Sequence, residues 1–135
     1  MKEPYWLTRG ECMALHGLML AQHGGSSGLR DENLLESALA KPQQLFTYGK
    51  PKLTDLAASY TFGVVKNHPF IDGNKRTGFM LGVGFLERNG CRFEGSEVEA
   101  VIQTLALAAG ESTEADYAAW LEGNTKPPRR SRVPR

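Results

Sequence analysis

The sequence predicts an all-α protein, a helical bundle around one central buried helix with at most one short β element. Apolar residues recur with helical spacing in almost every segment. Polar residues that commonly cap helices stand directly before several of these segments. No stretch has the alternating pattern of a strand, beyond what "CRF" at residues 91–93 supplies. The 135 residues show no internal repeat, which favours one folded domain.

The first two helices have clear signals at their starts. Thr8 can cap the first helix, and Glu11 stands three residues later in the position of a capping box. The glycines of "HGGSSGLRD" end this helix, and Asp31 is placed to cap the second. Pro42 is predicted to close the second helix, because proline interrupts helical hydrogen bonding. A long loop over residues 41–53 is therefore expected before the third helix.

The third and fourth helices flank a polar stretch. Thr54 is predicted to open the third helix, which ends just before His68 because Pro69 disfavours helical dihedral angles in the preceding residue. The fourth segment, "KRTGFMLGVGFLERNG", is apolar on every side, so we expect it to be the central buried helix. Glycine in a helix interior costs up to ~1 kcal/mol, which suggests close approach by neighbouring helices. The glycines concerned are Gly78, Gly82 and Gly84.

Two further helices complete the predicted bundle. Asn89 and Gly90 end the fourth helix. Ser96 is placed to cap an amphipathic fifth helix, and residues 113–121 form the last. The apolar residues of the fifth helix are Val98, Val101, Ile102 and Leu105.

The formal net charge is +1, but the charged residues are unevenly distributed along the chain. Five basic residues fall in "KPPRRSRVPR", residues 126–135, so residues 1–125 carry 11 basic against 15 acidic side chains. We predict a helical domain over 1–125 and a disordered basic tail over 126–135, because prolines prevent a helix there. Proteins that bind nucleic acid usually carry basic charge on the folded domain as well, so the tail is expected to contact nucleic acid weakly at most.

The sequence favours a cytoplasmic protein without a membrane partner. No apolar run approaches the ~20 residues that cross a bilayer, and the N-terminus lacks an apolar signal region. Cys12 and Cys91 lie far apart, without the spacing of a metal site or a disulfide scaffold. We expect both to be reduced residues in or near the core.

The stretch "HPFIDGNKRTGF", residues 68–79, combines the groups needed to hold a polyphosphate. It precedes a helix, whose first-turn N–H groups and macrodipole attract anions, and Gly73 allows the backbone to approach a ligand. Lys75 and Arg76 add two positive charges suited to phosphate oxygens. Asp72 would repel phosphates unless a divalent cation lay between them, so it implies Mg²⁺.

The same stretch contains a group that can move a proton. His68 can be neutral near pH 7 and can accept a proton from an attacking hydroxyl, as a general base does. Phe70 and Ile71 are expected to face inward and fix the loop, and Asn74 to hold a phosphate oxygen or cap the helix. Together these residues predict phosphoryl or nucleotidyl transfer, in which the protein mainly positions reactants and neutralises charge.

These residues resemble the core motif of the Fic/Doc family, and closely its Doc-like (death-on-curing) branch, the toxins of type II toxin–antitoxin systems. The usual Fic pattern is H-x-F-x-[D/E]-G-N-G-R-x-x-R. Lys75 replaces the central glycine and Phe79 the second arginine, and both departures are typical of Doc-like toxins. The resemblance extends from about Thr8 to Glu122. The positions that fit are His68, Phe70, Asp72, Gly73, Asn74 and Arg76.

The resemblance implies a fold, a site and a reaction. The fold would be a Fic/Doc-like bundle, with His68 as catalytic base and Asp72 as the magnesium ligand. ATP and Mg²⁺ would be the cofactors, with the phosphates bound by Gly73, Asn74, Lys75 and Arg76. A Doc-like toxin would move the γ-phosphate of ATP to a threonine or serine of a translation factor such as elongation factor Tu, and so stop translation.

The resemblance also implies a partner. An inhibitory glutamate in the family's [S/T]-x-x-x-E-[G/N] pattern is not found in the sequence. Restraint would then come in trans, from a small Phd-like antitoxin that packs against the toxin's helices. The segment over residues 46–52 resembles in place the flap that receives a target in this family, although a plain connector is an equal alternative.

Other functions stay open from the sequence. One is Fic-type transfer of AMP to a protein hydroxyl, although Phe79 removes a cation that would hold the far phosphates. Another is a catalytically silent protein that binds through its basic tail. A metal hydrolase is disfavoured, because no tight pairing motif accompanies His68 and Asp72. Packing or surface roles are expected for His16, His23, Trp6 and Trp120.

Overall fold

The structure, a computed structural model, describes residues 2–128 and confirms the all-α fold. None of the described helices is long and apolar enough to cross a bilayer. The elements found in these residues are α1 (Arg9–His23), α2 (Glu32–Tyr48), α3 (Leu53–Asn67), α4 (Asn74–Arg88), β1 (Arg92–Phe93), α5 (Glu97–Ala109), α6 (Glu114–Gly123) and β2 (Thr125–Lys126).

The helix caps predicted at Thr8, Asp31 and Ser96 are confirmed, and the structure adds one at Thr113. In four helices a side-chain oxygen of the capping residue accepts a hydrogen bond from the main-chain N–H three positions later. Helix α3 begins at Leu53, one residue earlier than predicted, and the Lys52 N–H donates to the Asp55 carboxylate at 2.8 Å. The four caps are Thr8, Asp31, Ser96 and Thr113.

The central helix of the bundle is α3, and the prediction of α4 for this place is wrong. Helix α3 contacts α2, α4, α5 and α6, and its side chains are buried along most of its length. Several of these buried side chains are polar, so the apolar pattern of the sequence did not indicate that α3 is central. One is Thr61, whose hydroxyl donates to the Gly78 carbonyl at 2.7 Å.

Glycines bring α3 and α4 into close contact, as predicted for two of the three positions. A methyl group at Gly78 would lie 3.2 Å from the Thr61 carbonyl oxygen, and one at Gly82 would lie 3.1 Å from that of Ala57. The prediction is wrong for Gly84, where the nearest atom to such a methyl is 3.8 Å away on Leu15.

Helix α2 does not end at Pro42, so the predicted loop over residues 41–53 is wrong. The helix continues to Tyr48, and only residues 49–52 connect it to α3. Pro42 is buried, and it removes the N–H that would pair with the Ala38 carbonyl. Ala38 packs directly against Gly63 of α3, and burial of this face offsets the lost hydrogen bond.

The shortened connector also bears on the predicted flap over residues 46–52. Its first three residues are helical, so a flap over the whole segment is wrong. Phe46 packs edge-on against Trp6, with 5.7 Å between the ring centroids. Such a packed aromatic is part of the bundle.

Strands β1 and β2 form one antiparallel pair, with Arg92 opposite Lys126 and Phe93 opposite Thr125. The "CRF" prediction is thereby confirmed, whereas β2 has no signal in the sequence. Lys126 was predicted to be in the tail and instead belongs to this sheet. The remainder of the predicted tail falls mostly on residues 129–135, which lie outside those described.

Both cysteines are buried and free, as predicted. Burial raises the pKa of the Cys12 thiol to about 12. The thiol is therefore protonated and unreactive at neutral pH.

Candidate functional site

The candidate site is a loop of six residues, 68–73, between the end of α3 and the start of α4. His68 ends α3 in the left-handed conformation, with φ 51° and ψ 56°. Gly73 precedes α4 with φ 81°, a conformation that glycine adopts without strain. The predicted position of His68 at a helix end is confirmed.

The first turn of α4 has the features of an anion-binding cradle. The first hydrogen bond of this turn runs from the Thr77 N–H to the Gly73 carbonyl. The N–H groups of Asn74, Lys75 and Arg76 come before it and have no carbonyl partner within the helix. The turn contains no acidic residue. Lys75 and Arg76 are exposed there, although positive charge is unfavourable beside the positive end of a helix dipole. A bound anion reverses this unfavourable interaction.

Asp72 is exposed beside the cradle and is held from two sides. Its carboxylate oxygen Oδ2 accepts a hydrogen bond from the Ser26 N–H at 2.8 Å. Its main-chain carbonyl lies 2.8 Å from Nε2 of His16, which must donate because a carbonyl only accepts. These contacts fix the direction of the carboxylate.

The donor set around Asp72 fits a magnesium ion that arrives with a nucleotide. Within residues 2–128, no three His, Cys, Asp or Glu side chains are grouped to hold a metal by themselves. Mg²⁺ commonly takes one or two carboxylates and fills its other positions with phosphate oxygens and water. One fixed carboxylate beside the cationic first turn of α4 fits that requirement.

The Asn74 side chain is buried and fastens the loop to the start of α4. Its Oδ1 accepts from the Phe70 N–H at 3.0 Å, and its Nδ2 donates to the Phe70 carbonyl at 2.9 Å. It makes no side-chain cap of α4. The contribution of Asn74 to an anion site therefore comes from its main-chain N–H, while its amide group shapes the loop.

The His68 imidazole is exposed at the cleft that the loop borders. Its Nδ1 lies 3.4 Å from the Asn74 Nδ2, which is long for a hydrogen bond and imposes little preference on the tautomer. Either ring nitrogen can therefore be unprotonated when the ring is neutral, and a base needs one such nitrogen free.

Of the two apolar residues expected to face inward, only Phe70 does. Phe70 is 1% exposed, whereas Ile71 is 53% exposed, so the prediction for Ile71 is wrong. Successive residues of an extended segment point to opposite sides, and Phe70 forms an isolated antiparallel bridge with Leu29. Burial of Phe70 therefore turns Ile71 outwards.

His16 was expected to have a packing or surface role, but it also contacts the candidate site. Its ring stacks on Phe70, with 3.8 Å between centroids and 10° between planes, in addition to holding the Asp72 carbonyl. One signal was available, because His16 follows Cys12 by four residues and precedes Met19 by three, on the apolar face of α1. A polar side chain on a buried face requires a hydrogen-bond partner.

The cleft beside the loop has a volume of about 770 Å³. Helix α5 also lines it with Val101 and Leu105, which are 58% and 49% exposed. The predicted helix α5 is present, but the four apolar side chains that predicted its buried face are exposed. The bundle instead buries Ala100, Thr104 and Leu107. The first turn of α4 thus has an apolar surface next to it.

Comparison with known proteins shows the family. The sequence model described as "Fic/DOC family" matches residues 6–86, which include the whole loop and cradle. The chain belongs to the Fic/DOC family. It is 32% identical over 105 residues to "Protein kinase doc" of Escherichia phage P1, covering 75% of this chain and 80% of the relative. It is 41% identical over 70 residues to "Toxin Doc" of Mycolicibacterium smegmatis, covering 50% of this chain and 53% of that protein.

The Doc-like resemblance read from the sequence is therefore confirmed. In this Fic/Doc chain one cleft brings together all the site residues named from the sequence, which are His68, Asp72, Gly73, Asn74, Lys75 and Arg76. The motif could not reveal the side chains that hold the loop from α1 and from the segment before α2.

Proposed function

We propose that this chain is a Doc-type toxin kinase that transfers the γ-phosphate of ATP to a serine or threonine hydroxyl. The target would be a cytoplasmic translation factor such as elongation factor Tu, whose modification inhibits translation. The observation that carries the proposal is the cationic first turn of α4, with an exposed carboxylate and imidazole at the same cleft. The name of the phage P1 relative, a protein kinase, supports the type of reaction.

In the proposed reaction, the first turn of α4 holds the phosphates. The N–H groups of Asn74, Lys75 and Arg76 donate to phosphate oxygens, and the two cationic side chains neutralise their charge. Asp72 would hold a Mg²⁺ ion, which supplies further charge neutralisation on the triphosphate when bound. Its carboxylate is directed by the Ser26 N–H and by the bond from His16 to its carbonyl.

His68 then acts on the acceptor hydroxyl. The imidazole nitrogen takes the hydroxyl proton as the oxygen forms a bond to the γ-phosphorus. The bond between that phosphorus and the bridging oxygen of the β-phosphate breaks, and ADP leaves with the electron pair. The products are a phosphorylated side chain, ADP and a protonated His68, which returns its proton to water.

Phe79 favours phosphate transfer over AMP transfer. It stands where the Fic pattern has its second arginine, and its ring packs edge-on against Phe93, with 5.7 Å between centroids. The position is thus occupied by aromatic packing and provides no cation for the far phosphates of an AMP donor. Transfer of AMP remains the second candidate function.

We further propose that a Phd-like antitoxin restrains the chain in trans. Helix α5 offers apolar residues beside the cleft, and a partner that covered them would also block access to His68. The exposed apolar side chains are Val98, Val101, Ile102 and Leu105.

Two labels of ATP test the reaction. With a bacterial lysate or elongation factor Tu as acceptor, we expect label from the γ-phosphate of ATP, and not from its α-phosphate, to enter protein. The acceptor should gain about 80 Da, the mass of a phosphate, whereas a gain of about 329 Da would establish AMP transfer instead.

Expression in cells separates an enzyme from a binding protein. A His68→Ala variant should no longer inhibit growth. A chain without residues 129–135, which keeps β2 intact, should inhibit growth as the full chain does. The reverse pattern, with inhibition lost only on removal of the basic segment, would support the silent binding protein.

A further inference from the structure

We propose that Arg30 is the positioning residue that holds His68 in its left-handed conformation and so aims the imidazole. The catalytic part of this inference rests on the proposed function, since it takes His68 as the base. The conformational part stands on the structure of the loop alone.

His68 has a backbone conformation that requires support. It is the only residue other than glycine with positive φ among residues 2–128. The left-handed region costs a residue with a Cβ roughly 1–2 kcal/mol. Such a conformation persists only where surrounding contacts hold it in place. The neighbours of His68 must therefore supply that hold.

Arg30 donates to the carbonyls on both sides of the His68 dihedral angles. Its Nε–H bonds to the His68 carbonyl at 2.7 Å, and its Nη2–H bonds to the Asn67 carbonyl at 2.8 Å. The guanidinium is planar and rigid, so its Nε–H and Nη2–H form a fork of two donors, and both carbonyls must point towards it. With His68 in the left-handed conformation, both carbonyls lie within reach of the guanidinium.

The main chain of Arg30 is anchored to the same turn. The Pro69 carbonyl accepts from the Arg30 N–H at 2.6 Å and from the Asp31 N–H at 3.1 Å. Arg30 therefore donates to the carbonyls of three successive residues, 67–69. A further bond, from the Ile71 N–H to the Gly28 carbonyl at 3.1 Å, extends the contact between the two segments. These main-chain hydrogen bonds fix the position from which the Arg30 side chain extends.

Charge and placement favour a positioning role over ligand binding. The carbonyls at the end of α3 form the negative end of a helix dipole, which a guanidinium neutralises. Arg30 is not among the residues that line the cleft in the described part of the chain, and its fork is directed at backbone oxygens. It acts on the site through His68.

The test compares three variants. Arg30→Gln removes the fork and the charge, and Arg30→Lys keeps the charge without the fork. Arg92→Gln is the control, because Arg92 is also exposed and its side chain bonds to Glu94, a residue near it in sequence. Each variant is measured for thermal unfolding, for the steady-state kinetics of γ-phosphate transfer, and for the ¹H–¹⁵N and ¹³Cα NMR signals of His68.

We expect Arg30→Gln to move the His68 signals away from left-handed values. We also expect it to lower kcat by about tenfold to a hundredfold while KM for ATP stays the same, because the phosphate cradle is untouched. Arg30→Lys should fall between wild type and Arg30→Gln, and Arg92→Gln should match wild type. A merely structural loss would lower thermal stability without this separation of kcat from KM.

Two results would overturn the inference. One is an unmoved His68 in Arg30→Gln, whatever the rates. The other is a rise in KM for ATP with kcat unchanged, which would place Arg30 at the nucleotide. If the wild-type chain transfers no phosphate, the proposed function fails, and the NMR signals alone then decide whether Arg30 holds His68.

Discussion

Helices α3 and α4 pack against each other through glycines, whereas the loop that joins them is held by side chains from other parts of the chain. At the interface, Gly78 and Gly82 leave room for backbone of the facing helix. In the loop, residues 68–73, the contacts are directed hydrogen bonds from Arg30 and His16, together with the pair of bonds between Phe70 and the Asn74 side chain of α4.

This difference indicates which substitutions should change the stability of the fold and which should change its activity. Packed surfaces tolerate little change of volume, so substitutions at the interface act on folding. Hydrogen bonds to an exposed loop contribute less to global stability, but they determine where reacting groups stand. We therefore expect changes in the loop to alter activity and changes at the interface to alter the free energy of unfolding.

The largest effect is expected from His68→Asn. Asparagine tolerates the left-handed conformation, so the backbone is kept while the base is removed. We expect phosphate transfer to fall by about 10²- to 10⁴-fold. The free energy of unfolding, measured in urea, should stay within about 0.5 kcal/mol of wild type. Unchanged transfer would remove His68 from the mechanism.

Gly82→Ala should mainly affect stability. The added methyl would lie 3.1 Å from the Ala57 carbonyl oxygen and 2.5 Å from the Thr61 hydroxyl, so α3 and α4 must move apart. We expect the free energy of unfolding to fall by about 1–3 kcal/mol. Gly84→Ala is the matched control, with its nearest neighbour at 3.8 Å, and should be neutral or stabilising by up to about 1 kcal/mol. Equal stabilities for the two variants would contradict close packing at Gly82.

His16→Phe separates the two contacts of His16. Phenylalanine can keep the stack on Phe70 but cannot donate to the Asp72 carbonyl. Asp72 is the proposed magnesium ligand, and groups that orient such a ligand commonly affect affinity. We therefore expect binding of ATP in the presence of Mg²⁺ to weaken by about tenfold, measured by calorimetric titration. His16→Gln, which retains a donor without the aromatic ring, should bind more tightly than His16→Phe. Wild-type affinity in His16→Phe would show that the bond does not direct Asp72.

The smallest effect is expected at Glu11, far from the loop. The hydrogen bond from the Thr8 backbone N–H lowers the pKa of the Glu11 carboxyl below 4.5, and Arg88 adds to the lowering. A group with a lowered pKa stabilises the fold above its unfolded pKa, and this contribution disappears as pH falls through the folded pKa. Unfolding in urea between pH 6 and about pH 3 should show this loss in wild type and a smaller one in Glu11→Gln. An equal loss of stability in wild type and Glu11→Gln over this pH range would contradict a lowered pKa of Glu11.

Local signals in the sequence were sufficient for much of the fold and for the meeting of the candidate site residues at one cleft. Thr8, Asp31 and Ser96 cap helices as predicted, because a cap depends on atoms only three residues away. The motif from His68 to Arg76 is equally local, so its residues meet at one cleft as expected.

Contacts between distant residues could not be predicted in the same way. Helix α3 did not look central in the sequence, because several of its buried side chains are polar. Pro42 indicated a helix end, but α2 continues because Ala38 packs against Gly63 of α3. His16 and Arg30 lie 56 and 38 residues from the carbonyls that they bind in the loop. No spacing rule connects residues so far apart.

The sequence by itself determined that this is a helical Fic/Doc chain with two cationic side chains, a carboxylate and an imidazole in one short stretch. Only the tertiary structure decided which helix lies at the centre and which side chains fix the direction of His68 and Asp72. The physical reason is range: caps and turn residues act through neighbouring atoms, whereas burial and loop anchoring arise when separate helices pack together.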